Sequence, residues 1–220
     1  MKISPFLFVL IFFSLTARAQ SLSEGEIKDL LARIAERRAT SPDVRADFQE
    51  QKTTHLMTKP IVSSGKIWFH APDKFRREVS GNSPSVTVSN GRDLWIYYQN
   101  FKSAERYALG KRSPADAAIA AINTALNLEN VEKVFHVAGA KIDNDYALQL
   151  LPRSPSMKRI FQKFDLRLNS EFFVERTEMT QPNGGRIVTS YSNQSRAAIP
   201  AATFEFTPPP GTEITSPLGR

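Results

Sequence analysis

The chain contains no cysteine, which removes several chemistries at once. There is no thiol nucleophile, no thiolate metal site and no cysteine to carry an acyl anchor. No disulfide can brace an exported domain either, so the fold must hold by core burial alone, as a chain of this length can. Long hydrophobic runs are also lacking: the longest, Pro5 to Leu15, covers about 11 residues against the roughly 20 that span a bilayer. The three histidines, His55, His70 and His136, are too dispersed to suggest a metal-ligand pair. The chain has no His-Glu-x-x-His, no nucleophile elbow and no glycine-rich loop before a helix. Asp143-Asn144-Asp145 lacks the rest of a calcium-binding loop and reads as a turn. The clusters Ser63-Ser64-Gly65 and Asn82-Ser83-Pro84-Ser85 lie where serine is expected in turns. Nothing singles out a carboxylate pair for glycoside cleavage. These absences point away from an enzyme.

What is present begins with an address. Residues 1–19 combine Lys2, the apolar run and the small residues of Ala17-Arg18-Ala19, the pattern of a secretory signal cleaved after Ala19. An uncleaved anchor is the competing reading, and the short run argues against it. Without a cysteine after the cleavage site, the lipid-modified type of signal is excluded. The mature chain, residues 20–220, is then a soluble protein outside the cytoplasm and reads as one domain. Removing Lys2 and Arg18 lowers the formal charge from +7 to +5. The basic residues are scattered, with no aromatic-interleaved basic strand, so nucleic acid is not the expected partner. A basic surface outside the cytoplasm suits anionic head groups or an acidic protein, or serves solubility alone.

The pattern along the chain is α+β. Ser23 and Glu26 have capping-box spacing, and Ile27, Leu30, Leu31 and Ile34 follow on one helical stripe until Ser41-Pro42. From Val44 to about Leu109 the period becomes that of strands. Val44, Ala46 and Phe48 alternate with polar neighbours, as do Ile67 and Phe69, and Phe75 to Val79 makes a further short strand. Val86 and Val88 lead through Asn90-Gly91, a strong hairpin signal, into Leu94 to Tyr98. Ser113-Pro114 caps a second helix, Ala115 to Leu128, with Ile119, Ile122 and Leu126 in a row. Strands are expected again at 146–150, 160–168, 172–179, 186–191 and 203–206, with Asn183-Gly184 as another hairpin. The expectation is a long antiparallel sheet with two helical segments folded against it.

Several strands are apolar on both faces, notably Leu94 to Tyr98 and Phe172-Phe173-Val174. An antiparallel sheet with one wet face alternates cleanly. Either helices cover one face while the other holds something else, or the sheet is closed and both faces are core. Ser64-Gly65-Lys66-Ile67-Trp68-Phe69-His70-Ala71-Pro72-Asp73-Lys74-Phe75-Arg76 and the hairpin Val86 to Tyr97 resemble the outer-membrane lipoprotein carrier family, LolA. Ala46-Asp47-Phe48-Gln49-Glu50-Gln51 matches the family's first strand, and Phe204-Glu205-Phe206-Thr207-Pro208-Pro209-Pro210-Gly211 resembles its finish. These motifs cover 44–98 and 203–211; residues 99–202 agree only in the order of elements.

The resemblance implies an incomplete, strongly curved antiparallel β-barrel closed by a helical lid, with an apolar cavity between them. It implies no catalysis and no cofactor or metal. The cargo would be acylated lipoproteins, shielded in the periplasm between an inner-membrane lipoprotein-releasing ABC transporter and an outer-membrane acceptor, by a monomer. The related anchored receptor is disfavoured, since it needs the cysteine this chain lacks. Alternatives are a divergent carrier of another lipid, such as a glycolipid or pigment lipid, or a non-enzymatic periplasmic protein-binding or sensor domain. On this pattern the lid is Ala115 to Leu128, contributing Ile119, Ile122 and Leu126, and the first helix presents Leu30, Leu31 and Ile34. Ile67, Phe69, Phe75, Leu94 and Ile96 would form the cavity wall, because the opposite face carries Lys66, His70 and Asp93. Two positions depart from the family. Its lid-latching Arg before the turn proline is Ala71 here, and Arg77 falls where an apolar aromatic is common.

Overall fold

The computed structural model describes residues 19–54, 58–109, 128 and 130–216. The leader expectation at residues 1–18 and the lid residues Ile119, Ile122 and Leu126 lie outside the described residues. Among the described residues thirteen strands form one sheet, in chain order β1 (Ala19–Ser21), β2 (Asp43–Thr53), β3 (Ile61–His70), β4 (Lys74–Ser80), β5 (Ser85–Asn90), β6 (Asp93–Tyr98), β7 (Ser103–Ala108), β8 (Phe135–Ile142), β9 (Asp145–Pro152), β10 (Lys163–Leu168), β11 (Val174–Thr180), β12 (Arg186–Ser195) and β13 (Glu213–Thr215). Their spatial order is β1-β8-β9-β10-β11-β12-β2-β3-β4-β5-β6-β7-β13, so two antiparallel meanders join where β12 meets β2. Every pairing is antiparallel except β13 against β7. β1 pairs only with β8 and β13 only with β7, and among the described residues the two edges do not pair with each other, which makes this a curved, open sheet rather than a closed barrel.

The helix α1 (Glu24–Thr40) starts where its capping box predicts. The Ser23 Oγ accepts from the Glu26 backbone N–H at 3.3 Å, and Glu26 Oε2 accepts from the Ser23 N–H at 2.8 Å. Those backbone and hydroxyl donors hold the Glu26 carboxyl below its ordinary pKa. The apolar stripe then seats on the β8–β10 part of the sheet. Ile27, Leu30, Leu31 and Ile34 share one buried cluster with Phe135, Leu148, Leu150, Phe161, Phe164 and Leu166. Fully burying side chains of this kind is worth about 1.5–3 kcal/mol each, so this half of the molecule is anchored by its own core.

Register assigns the faces. Val44, Phe69, Phe75, Ser89 and Leu94 lie in one cross-strand row, and Ala46, Ile67, Arg77, Thr87 and Ile96 in the next, on the same face as the α1 core. Trp68, Arg76, Val88 and Trp95 form a row on the opposite face. That opposite face is covered by the C-terminal segment. Ile199 N–H donates to Asp43 Oδ2 at 3.0 Å, and Arg76 Nη1 donates to the Thr203 carbonyl at 3.4 Å. Phe204 is buried near the His70 ring, and Phe206 lies 5.8 Å from both Trp95 and Tyr97. This explains the doubly apolar strands: the first face carries α1 and a cavity, and the second face of β3–β6 is core beneath residues 199–206.

Four expected strand boundaries are corrected. Residues 203–206 are not a strand; Ala201–Phe204 is a 3-10 turn, and Pro208-Pro209-Pro210 denies the segment donors for a ladder. Ile160 precedes β10, because Ser154 caps a one-turn helix at Pro155–Lys158 and delays the strand to Lys163. Phe172 has φ 62° and belongs to the turn before β11. The strand expected over 186–191 runs on to Ser195. Both Asn-Gly hairpins form, with Gly91 at φ 87° and Gly184 at φ 76°. Asp143, at φ 56°, begins the tight connection between β8 and β9.

Candidate functional site

Between the α1 core and β3–β4, the first face leaves an apolar cavity in two adjoining compartments. One, of about 90 Å³, is lined by Pro42, Val44, Ala46, Ile67, Phe69, Phe172, Phe173, Val174 and Tyr191, with Arg38, Gln194 and Arg196 at its edge. The other, of about 230 Å³, is lined by Phe48, Ile67, Phe69, Phe75, Phe164, Met179 and Ile187, with Glu50, Arg77, Thr177, Thr189 and Tyr191. Ile67, Phe69 and Tyr191 belong to both. Together they fall near the lower end of the ~300–1,000 Å³ typical of small-molecule sites.

The cavity exists because β2, β3 and β4 point alternate side chains inward, as strand pleating requires. Gly65, in β3, faces Phe48 across the pairing. A Cβ there would run into the Glu78 carbonyl oxygen, so glycine is what lets these strands approach. Arginines cap the aromatic rim. Arg196 lies 3.6 Å over the Phe173 ring and donates to the Glu171 carbonyl at 2.6 Å, while Arg33 lies 5.6 Å over Phe172. Burial, with Arg37 nearby, lowers the Arg196 guanidinium from its ordinary pKa.

Polar groups sit within the apolar wall. Arg77 Nη2 donates to Glu50 Oε2 at 3.0 Å and its guanidinium lies 4.2 Å over the Phe48 ring. Thr189 Oγ1 donates to the same Glu50 oxygen at 3.4 Å. Arg77 and Glu50 are each 26% exposed. Burial pushes the Tyr191 phenol above its ordinary pKa, opposed by the Thr177 hydroxyl and the Arg77 charge. Arg76, next in sequence, points to the other face and pairs with Glu78 at 2.7 Å.

The residues expected at the site are distributed as follows. Ile67, Phe69 and Phe75 line the cavity. Leu94 and Ile96 share their face but line neither compartment; Leu94 is buried beside Ser89 and Tyr107 in the register. Leu30, Leu31 and Ile34 are packed in the α1 core and line neither compartment. Ala71 sits in the β3–β4 turn, where its backbone N–H donates to the Pro42 carbonyl at 3.0 Å. Sequence reasoning did not include Phe48, Glu50, Arg77 or Tyr191 among the cavity residues. For Glu50 a signal existed, since the alternation Val44, Ala46, Phe48 continues to it and puts a carboxylate on the apolar face.

The family model for outer membrane lipoprotein carrier protein LolA matches residues 40–207. The chain belongs to this family. The matched span contains both compartments except Arg38. The outer-membrane lipoprotein carrier protein of Chromobacterium violaceum is 29% identical over 207 residues, covering 92% of this chain and 91% of that one. The protein of the same name from Chromohalobacter salexigens is 23% identical over 201 residues, covering 91% and 90%. Among solved structures, an uncharacterised conserved protein from Thermus thermophilus superposes with a TM-score of 0.52 at 12% identity, covering 86% of this chain and 98% of that one, a likeness of fold. No helix among the described residues is long and apolar enough to cross a membrane.

Proposed function

We propose that this LolA-family protein is a non-enzymatic periplasmic carrier that shields acyl chains and shuttles lipoproteins from the inner to the outer membrane. The observation that carries the reading is the apolar cavity on the sheet face lined by Ile67, Phe69, Phe75, Phe164 and Met179. Buried methylenes are worth about 0.8 kcal/mol each, so a multi-acyl anchor does not cross water unaided. The cavity size suits part of one chain, so a multi-acyl cargo requires the sheet and its covering segments to open. The chain would be processed after Ala19, leaving residues 20–220 as one domain. It would act as a monomer, receiving cargo from a lipoprotein-releasing ABC transporter and delivering it to an outer-membrane acceptor. A basic mature chain suits such contacts.

A second reading, carriage of a different lipid, is favoured by one observation: the ion pair Arg77–Glu50 within the cavity wall. A fluorescent fatty acid tests what both readings share. The purified protein is expected to bind it with enhanced emission, and Phe69→Glu is expected to abolish binding while circular dichroism stays unchanged. No binding by the wild-type protein overturns carriage of acyl chains.

A further inference from the structure

The polar groups of the cavity are a poor match for a plain hydrocarbon chain. Arg77 spends one N–H on Glu50 and stacks on Phe48, and among the described residues its other N–H groups meet no acceptor. Glu50 accepts from Arg77 and Thr189 and retains further lone pairs. Tyr191 stands where the two compartments join, its phenol hydrogen-bonded with the Thr177 and Thr189 hydroxyls and able to take one further partner. An alkyl chain lying across this station would strip water from the unused hydrogen-bonding positions of these groups and give nothing back. A group that both donates and accepts would satisfy them. Glu50 already neutralises Arg77, so a carboxylate or phosphate placed there would meet a carboxylate at close range. The fitting group is therefore neutral.

We infer that the preferred cargo is an acyl amphiphile carrying a neutral hydrogen-bonding group, such as a hydroxyl, on the portion of chain inside the cavity, read by Arg77, Glu50 and Tyr191. This rests on the acyl-carrier reading and specifies its substrate class. Elsewhere along the wall, Phe48, Ile67, Phe69 and Met179 take the flanking methylenes.

The test displaces a bound fluorescent fatty acid with octadecanoate and with a positional series of monohydroxyoctadecanoates. At least one isomer is expected to compete about tenfold better than octadecanoate, the size of one well-made hydrogen bond to a charged partner. In Glu50→Leu/Arg77→Leu, octadecanoate is expected to bind more tightly and the favoured isomer more weakly, so that the preference collapses. Tyr191→Phe, which keeps the ring, is expected to reduce the preference in part. A purely structural pair would lower both affinities together and leave their ratio alone. Equal competition by every isomer and by octadecanoate, or a preference unchanged in the double variant, overturns the inference while leaving acyl carriage standing. Failure of all of them, and of the fluorescent probe itself, overturns carriage and this inference together.

Discussion

Replacing Glu50 and Arg77 by leucine, singly and together, separates stabilising from ligand-reading roles. In Arg77→Leu, the Glu50 carboxylate keeps, among the described residues, only the Thr189 hydroxyl at 3.4 Å, and the guanidinium leaves the Phe48 ring. A hydrogen bond to a charged partner is worth about 1.5–3 kcal/mol, and a partly exposed cation–π contact about 0.5–1 kcal/mol. Both side chains are 26% exposed, so water recovers part of the loss, and about 1–2 kcal/mol remains. In Glu50→Leu, Arg77 keeps its place on Phe48 and regains water, so the loss is in the same range or smaller. For a domain of this size each kcal/mol moves the melting temperature by roughly 2–4 °C, which gives a fall of roughly 2–8 °C. The double variant leaves no orphaned charge in an apolar wall and is expected within about 0.5 kcal/mol of wild type. The coupling between the sites, the sum of the two single losses less the loss in the double variant, is then about 1–4 kcal/mol, readable by denaturant unfolding of all four proteins. A double variant destabilised by the full sum of the singles would refute the reasoning, because the two groups would then act independently.

Phe204→Ala should be the most damaging change on the other face: this buried ring anchors the C-terminal crossing to the sheet beside His70, and its loss should cost about 3–5 kcal/mol in unfolding experiments. Phe101→Ala, at a position 80% exposed, serves as its control and should change stability by no more than about 0.5 kcal/mol. Gly65→Ala forces a methyl group against the Glu78 carbonyl and the Phe48 ring, and is expected to lower stability by about 1–3 kcal/mol and to perturb ligand binding. Tyr107 donates to Glu105 Oε2 at 2.6 Å; burial and this carboxylate push its phenol up to about 12. A phenol raised in the folded state favours folding while protonated, so this contribution is lost as pH rises between about 10 and about 12. Ultraviolet titration of tyrosinate should show a late-titrating group that moves to lower pH in Glu105→Gln, and an unmoved titration would contradict it.

Periodicity made much of this architecture readable because it is a local signal. The α1 stripe, the alternation through Val44, Ala46 and Phe48 and the two Asn-Gly turns each depend on neighbours within a few residues. The strand count past residue 99 was harder. β8 carries Phe135, Val137 and Gly139 with alanines between and beyond, a weak alternation that becomes a strand only between β1 and β9. The Phe204–Phe206 segment has a strand-like pattern, yet it is held by contacts with Trp95, Tyr97 and His70 more than a hundred residues away. The cavity wall was legible at Ile67, Phe69 and Phe75 for the same periodic reason. Its polar station was not, because Glu50, Arg77, Thr177 and Tyr191 come from four strands whose juxtaposition is a property of sheet order.

Mass spectrometry of the protein purified from its native cells, without detergent, tests acyl carriage most directly. An acylated protein or lipid in near-stoichiometric amount is the expected result, and the mass identifies the cargo. Protein that emerges empty, and takes up no fluorescent fatty acid afterwards, would contradict it.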